Sequence, residues 1–321
     1  KASGETVDIK PQPKKDEAAF RWNWDAPLII SPHNNERLYF AANKLFRSDD
    51  RGNTWKAISG DLSRQIDRNT LPVMGKVWSV DAVAKNKSTT IYGNIVALSE
   101  SPKMENLLYV GTDDGLIHIS PDAGATWKKI ESVSGVPSKT YVNMLLASQH
   151  SENTAYAVFN NHKNGDFKPY IYKSIDKGAT WTAAHGDLPA RGSVYDIAED
   201  YVDKNLLFAG TEFGLFYSKN GGKNWHQLKS GLPTIAIRDI EIQKSENDLV
   251  LASFGRGFYV LDDYSPLRNY KEADKDKLAT LYPIKDAWIF IERAPLGLTG
   301  IGSQGESYYA AKNPPVGAVL S

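Results

Sequence analysis

Three observations predict an all-β fold for this 321-residue chain. An octapeptide of the form Ser-x-Asp-x-Gly-x-Thr-Trp occurs four times, two β-rich runs precede each copy, and the closest copies lie one sheet's length apart. The copies run from Ser48 to Trp55, Ser120 to Trp127, Ser174 to Trp181 and Ser218 to Trp225, the last with Asn220 and Asn224 at the acidic and threonine positions. From Ser174 to Ser218 is 44 residues, enough for four short strands and their turns. One such sheet cannot bury both faces, so consecutive sheets must stack about an axis. The expected architecture is a β-propeller of four-stranded antiparallel blades.

The elements follow in order. Runs 27–32 and 38–46 give the first three strands, and the octapeptide after Ser48 turns the chain into the fourth. Runs 94–101 and 107–119, 142–149 and 155–173, and 193–199 and 206–217 repeat that plan. Each is rich in Val, Ile, Leu, Phe and Tyr and is punctuated by Gly, Asn and Asp. A fifth unit, 238–243 and 248–262, lacks the octapeptide. The expected organisation is a polar lead-in over 1–23, about five blades over 24–265, and a connector with a partial strand region over 266–321. Within the connector, 271–278 is expected to make two helical turns and 287–291 a strand. Five units do not close a ring readily. The sequence is therefore expected to be an incomplete fragment of a longer protein, with six to eight blades completed by further sequence, by the strand near 287–291, or by another chain.

Composition removes several function classes. Lys plus Arg number 38, as do Asp plus Glu, so no bulk charge draws the chain to nucleic acid. The absence of cysteine excludes thiolate catalysis, disulfides and Cys-ligated metals. No run approaches the roughly 18 apolar residues of a membrane span. The six histidines lack zinc-binding spacing, and 300–305 matches a dinucleotide fingerprint without the strand-turn-helix context it needs, so neither metal nor cofactor is expected.

The octapeptides resemble the Asp-box, or BNR, repeat of sialidase-like, xyloglucanase-like and sortilin-type propellers. Gly111-Thr112-Asp113-Asp114-Gly115-Leu116, its counterpart from Gly210 to Leu215, and the stretch from Ser253 to Asp263 most resemble bacterial sortilin-type (VPS10-like) BNR proteins, often labelled glycosyl hydrolases. The resemblance implies an extracytoplasmic location (periplasmic, cell-surface or secreted) and a propeller that holds proteins, peptides or glycans. The cysteine-rich module of the animal receptors and the Arg-Ile-Pro motif of sialidases are both absent from this sequence.

Residue chemistry assigns the boxes a structural role. Ser48, Asp50, Gly52 and Trp55; Ser120, Asp122, Gly124 and Trp127; Ser174, Asp176, Gly178 and Trp181; and Ser218, Asn220, Gly222 and Trp225 can each hold a tight turn and pack an indole beside it. Since a box joins third to fourth strand, function is sought on the opposite face, where second-to-third turns and blade connections lie. The connection 61–92 is long for a compact domain and mixes aromatic and charged groups. From it Lys76, Trp78 and Asp81 are candidate ligand contacts, with Asp113, Asp114, Glu212 and Arg256 from the turns. Arg256, between two glycines, could clamp a carboxylate or pair with Asp262 or Asp263. Asp113, Asp114 and Glu212 could instead supply a glycosidase carboxylate pair, or Asp113-Asp114-Gly115 could be only a hairpin turn.

Three functions follow as alternatives: an extracytoplasmic binding module for a protein, peptide or glycan; a glycoside hydrolase; or a scaffold in an envelope complex. Contact with further domains of the same parent, or with another subunit, is expected.

Overall fold

The computed structural model describes residues 4, 6–83, 85, 92–287, 289, 291 and 316–318. It is nearly all-β, with five antiparallel sheets in chain order. The first holds β1 (Leu28–Ile30), β2 (Leu38–Ala41), β3 (Leu45–Ser48) and β4 (Lys56–Ala57). The second holds β5 (Ile95–Glu100), β6 (Leu108–Thr112), β7 (Ile117–Ser120) and β8 (Lys128–Ile130). The third is β9 (Tyr141–Ala147), β10 (Ala155–Asn160), β11 (Tyr170–Ser174) and β12 (Thr182–Ala183). The fourth is β13 (Val194–Glu199), β14 (Leu207–Thr211), β15 (Gly214–Ser218) and β16 (His226–Leu228). The fifth has three strands, β17 (Ile237–Gln243), β18 (Asp248–Ser253) and β19 (Phe258–Leu261). In every sheet, neighbours in sequence are neighbours in space.

The apolar cores lie between sheets. Tyr39, Ala41 and Leu45 meet Ile95, Leu98 and Leu108 at the first junction. Tyr109, Ile117 and Ile119 meet Val142, Leu145 and Phe159 at the second. Val158 and Ile171 meet Ile197, Leu207 and Trp225 at the third, and Phe208 and Leu215 meet Ile237, Ile240 and Leu251 at the fourth. This is the blade packing of a β-propeller, in which strands buried on both faces carry apolar residues without alternation. Gly111 and Gly210 permit the close approach: a Cβ on either would lie 2.5 Å from Val142 Cγ1 or 2.7 Å from the Ile237 carbonyl oxygen.

Polar clamps at the bases of the inner strands reinforce two junctions. Glu199, fully enclosed, accepts from Ser148 Oγ (2.7 Å), the Gln149 amide (2.8 Å) and Tyr156 OH (3.2 Å). Glu100 holds the corresponding place, accepting from Tyr39 OH at 3.3 Å. His33 and His150 reach the backbone carbonyls of Ser101 and Asp200 in the next blade, at 2.8 and 2.7 Å. Among the described residues the arc is not closed: no core joins β1 to the fifth sheet.

After β19 the chain folds back over the fourth blade. Tyr264 packs on Phe208, and Arg268, from α1 (Pro266–Asn269), pairs with buried Asp200 at 2.7 Å. The helical expectation for 271–278 shrinks to a 3₁₀ turn over Glu272–Asp276. The expected strand at 287–291 lies partly outside the described residues and the Gly-rich stretch 300–305 wholly so. Among the described residues no helix is long and apolar enough to cross a membrane.

Candidate functional site

Backbone bonds separate the two faces. The box turns bond to first-to-second turns, as in Arg51 N to Glu36 O (2.9 Å), Ala123 N to Asn106 O (3.1 Å) and Lys177 N to Asn153 O (2.8 Å). The second-to-third turns bond instead to the starts of inner strands, as in Asp113 N to Asn94 O, Glu212 N to Ser193 O and Phe254 N to Ala236 O, each 2.9 Å.

In each box the serine hydroxyl accepts from the glycine amide two positions beyond the acid. These bonds are 2.8 Å at Ser48 and Gly52, 2.7 Å at Ser120 and Gly124, 2.8 Å at Ser174 and Gly178, and 2.9 Å at Ser218 and Gly222. Asp50, Asp122 and Asp176 each accept from the serine hydroxyl and from both the amide and hydroxyl of the following threonine. These donors, the Thr180 hydroxyl foremost, pull the Asp176 pKa down to about 2. The boxes spend their polar atoms on their own turns.

On the opposite face, Asp113 and Asp114 are buried and committed to the fold. Asp114 accepts from Thr112 Oγ1 (2.5 Å) and the Arg64 amide (2.7 Å), which pins the start of connection 61–92 to the second blade. Asp113 accepts from the amides of Gly93 (3.0 Å) and Asn94 (2.8 Å), from Asn94 Nδ2 (3.0 Å) and, more weakly, from Asn23 Nδ2 (3.4 Å). Burial outweighs these bonds and, with the adjacent Asp114 charge, raises the Asp113 pKa to about 6. Trp78 is half-exposed within its own loop: its indole donates to the Val73 carbonyl (3.0 Å), and the Lys76 ammonium lies 4.6 Å over its ring. Asp81 is exposed on the same loop, whose residues 84 and 86–91 are outside the description. Arg256 is exposed, and among the described residues it forms no ion pair with Asp262 or Asp263. Glu212 keeps Oε2 buried without a partner.

A set of residues that the sequence did not single out gathers where the inner strands begin. Ladder pairing skips one residue near the top of each of β5, β9, β13 and β17, leaving Val96, Asn143, Tyr195 and Arg238 without a cross-strand partner. A bulge there turns the strand and re-aims its side chain. Asn143 Nδ2 donates to the Tyr195 carbonyl at 2.6 Å, and the Arg238 guanidinium sits 4.1 Å over the Tyr195 ring, so three bulges join in one ledge. Lys163 lies 5.0 Å over the Tyr141 ring. Burial raises the Tyr141 pKa, with the charges of Asp25 and Asp113 adding to it and Arg238 opposing. Burial lowers His162, helped by Lys163 and Arg238 and opposed by Glu212. The charges of Asp25, Asp113 and Arg238 thus act on Tyr141, and those of Lys163, Arg238 and Glu212 on His162.

The lead-in reaches the same place. Phe20 and Trp22 pack on Phe46 and Phe40 at centroid distances of 4.8 and 4.7 Å, and Arg21 bonds Asp61, Ser63 and the Gly93 carbonyl. This path delivers Asn23 to Asp113 and leaves the next residue, Trp24, 91% exposed. A cavity of about 870 Å³ lies elsewhere, between the lead-in and the outer edge of the first blade. Among the described residues no His, Asp and Glu cluster could hold a metal ion.

The fold and its repeated turns define a β-propeller chain carrying BNR/Asp-box repeats. The BNR/Asp-box repeat family matches residues 216–227. A xyloglucanase from Paenibacillus sp. is 27% identical over 204 residues, which cover 54% of this chain and 18% of that protein. The vacuolar protein sorting/targeting protein 10 of Trichophyton verrucosum is 21% identical over 209 residues, 60% of this chain and 13% of that one. Among solved structures, an ancestral GH74 enzyme superposes with a TM-score of 0.53 at 16% identity, over 75% of this chain and 28% of its own. The chain thus spans less than a fifth of the curated relatives it matches, and the structural likeness establishes the fold.

Proposed function

We propose that this chain is a binding module that takes a glycan, peptide or protein segment at the mouth opposite the Asp boxes. The observation that carries the reading is the ledge of Asn143, Tyr195 and Arg238, together with Trp24, which is 91% exposed and follows the Asn23 that reaches Asp113. An exposed indole face offers an apolar platform for a sugar ring or an apolar side chain, and the Arg238 guanidinium can donate to a carboxylate or to hydroxyl oxygens. Similarity to a xyloglucanase and to a sorting protein supports both ligand classes and an extracytoplasmic location. The xyloglucanase similarity also keeps a hydrolase reading in play. Against it, Asp113 and Asp114 are buried and held by protein donors on both oxygens, so neither carboxyl is open to a glycosidic oxygen.

Glycan and peptide arrays probed with the chain test the proposal, followed by titration of the best ligand against Trp24→Ala and Arg238→Ala. Each substitution is expected to weaken binding by at least about tenfold with the thermal midpoint unchanged. Equal affinity in both variants would refute the mouth as the site. Release of oligosaccharides from xyloglucan by the unmodified chain would favour the hydrolase instead.

A further inference from the structure

The tryptophan of a box also reports on the blade before it. Trp127 Nε1 donates to the carbonyl of Ile58 (3.4 Å), the residue after the fourth strand of the first blade. Trp225 Nε1 donates to the carbonyl of Ala184 (3.2 Å), the residue after the fourth strand of the third. The box glycines abut the same carbonyls: a Cβ on Gly124 or Gly222 would lie 2.4 Å from Ile58 O or Ala184 O. At the second-to-third junction Trp181 departs from this rule, its indole nitrogen lacking a partner.

The first blade obeys the rule with no described blade before it. Trp55 Nε1 donates to the carbonyl of Ile9 at 2.6 Å, and the nearest atom to a Cβ on Gly52 would be Ile9 Cβ, at 3.1 Å. Ile9 therefore holds the place of Ile58 and Ala184. The onward path agrees, since 10–27 crosses to the mouth and enters an inner strand, as the other blade connections do. Gly4, with φ of 68°, precedes Ile9 much as the left-handed Gly52 (φ 90°) and Gly178 (φ 76°) precede Ile58 and Ala184.

One bond of the pattern is unmatched. Ile58 donates its amide to Leu45 O (2.9 Å) and Ala184 donates to Ile171 O (2.8 Å), each a third-strand carbonyl of its own blade. Among the described residues the Ile9 amide has no acceptor, and Val7 stands 67% exposed beside it. We propose that Thr6 to Ile9 form the fourth strand of a further blade, which precedes β1 around the ring and whose first three strands belong to the same polypeptide. This goes beyond ligand recognition at the mouth: it assigns an interaction edge and its occupant, an antiparallel third strand.

The test is hydrogen exchange with mass spectrometry on the intact polypeptide from its natural source, beside the 321-residue chain, together with a cryo-electron-microscopy map of the intact protein. The segment around Ile9 is expected to exchange at least about 100-fold more slowly in the intact protein, with peptides around Ile58 and Ala184 unchanged. The map is expected to show the Ile9 amide on the third strand of a sheet distinct from β1 to β19. Equal exchange, an unpaired segment, or pairing to β19 or to a second copy would each overturn the proposal.

Discussion

Asp113 gives the mouth a measurable pH signature. Its carboxyl is buried beside Asp114 and titrates near pH 6, against about 3.8 for an unperturbed aspartate. Between those values the folded chain holds a proton that the unfolded chain has released, so stability falls as pH rises from about 4 to about 6 and levels off above. A displacement of that size amounts to about 3 kcal/mol. The perturbation is Asp113→Asn, which keeps an oxygen for the Gly93 and Asn94 amides while the Asn94 side-chain amide can rotate to accept from the new NH₂. Urea unfolding of both proteins at intervals from pH 4 to 7 is the assay. Relative to the variant, the unmodified chain should lose roughly 2 to 3 kcal/mol across the interval, most of it below pH 6.5. Parallel curves would show that Asp113 ionises normally in the fold, and the account of its burial would fail.

Other outcomes follow from the blade junctions. Trp225→Ala, which empties a junction core and removes the bond to Ala184, should cost about 3–5 kcal/mol by chemical denaturation. Glu199→Ala strands three donors between the third and fourth blades and should cost about 3 kcal/mol by the same measurement. Gly222→Ala should lower the thermal midpoint well below Gly221→Ala. Both glycines have positive φ, but a new Cβ at 222 meets Ala184 O at 2.4 Å, whereas at 221 nothing lies closer than 3.8 Å.

The blades were legible because each strand is an apolar run between turn residues, and because the octapeptide marks every third-to-fourth corner. Sheet order followed from antiparallel chain continuity alone. The mouth was not legible. Tyr195 and Arg238 lie inside strand runs, and whether such a residue pairs across the sheet or bulges toward the axis depends on register, which no local pattern encodes. Trp24 and Asn23 escaped because the lead-in reads as polar and Pro-rich. Yet Ile9, Phe20 and Trp22 in it pack against the first blade, which settles where their neighbours go. Asp113 and Asp114 are legible as paired acids, but the donors that occupy them include Arg64, Gly93 and Asn94, whose approach depends on how the connection 61–92 packs.

The skipped residue on four of the five inner strands also bears on how such a chain can change over generations. A side chain outside the ladder can be exchanged without breaking a rung, so chemistry around the axis can diversify while the sheets beneath keep their register. Descendants of one stable frame could thereby acquire new tastes one substitution at a time.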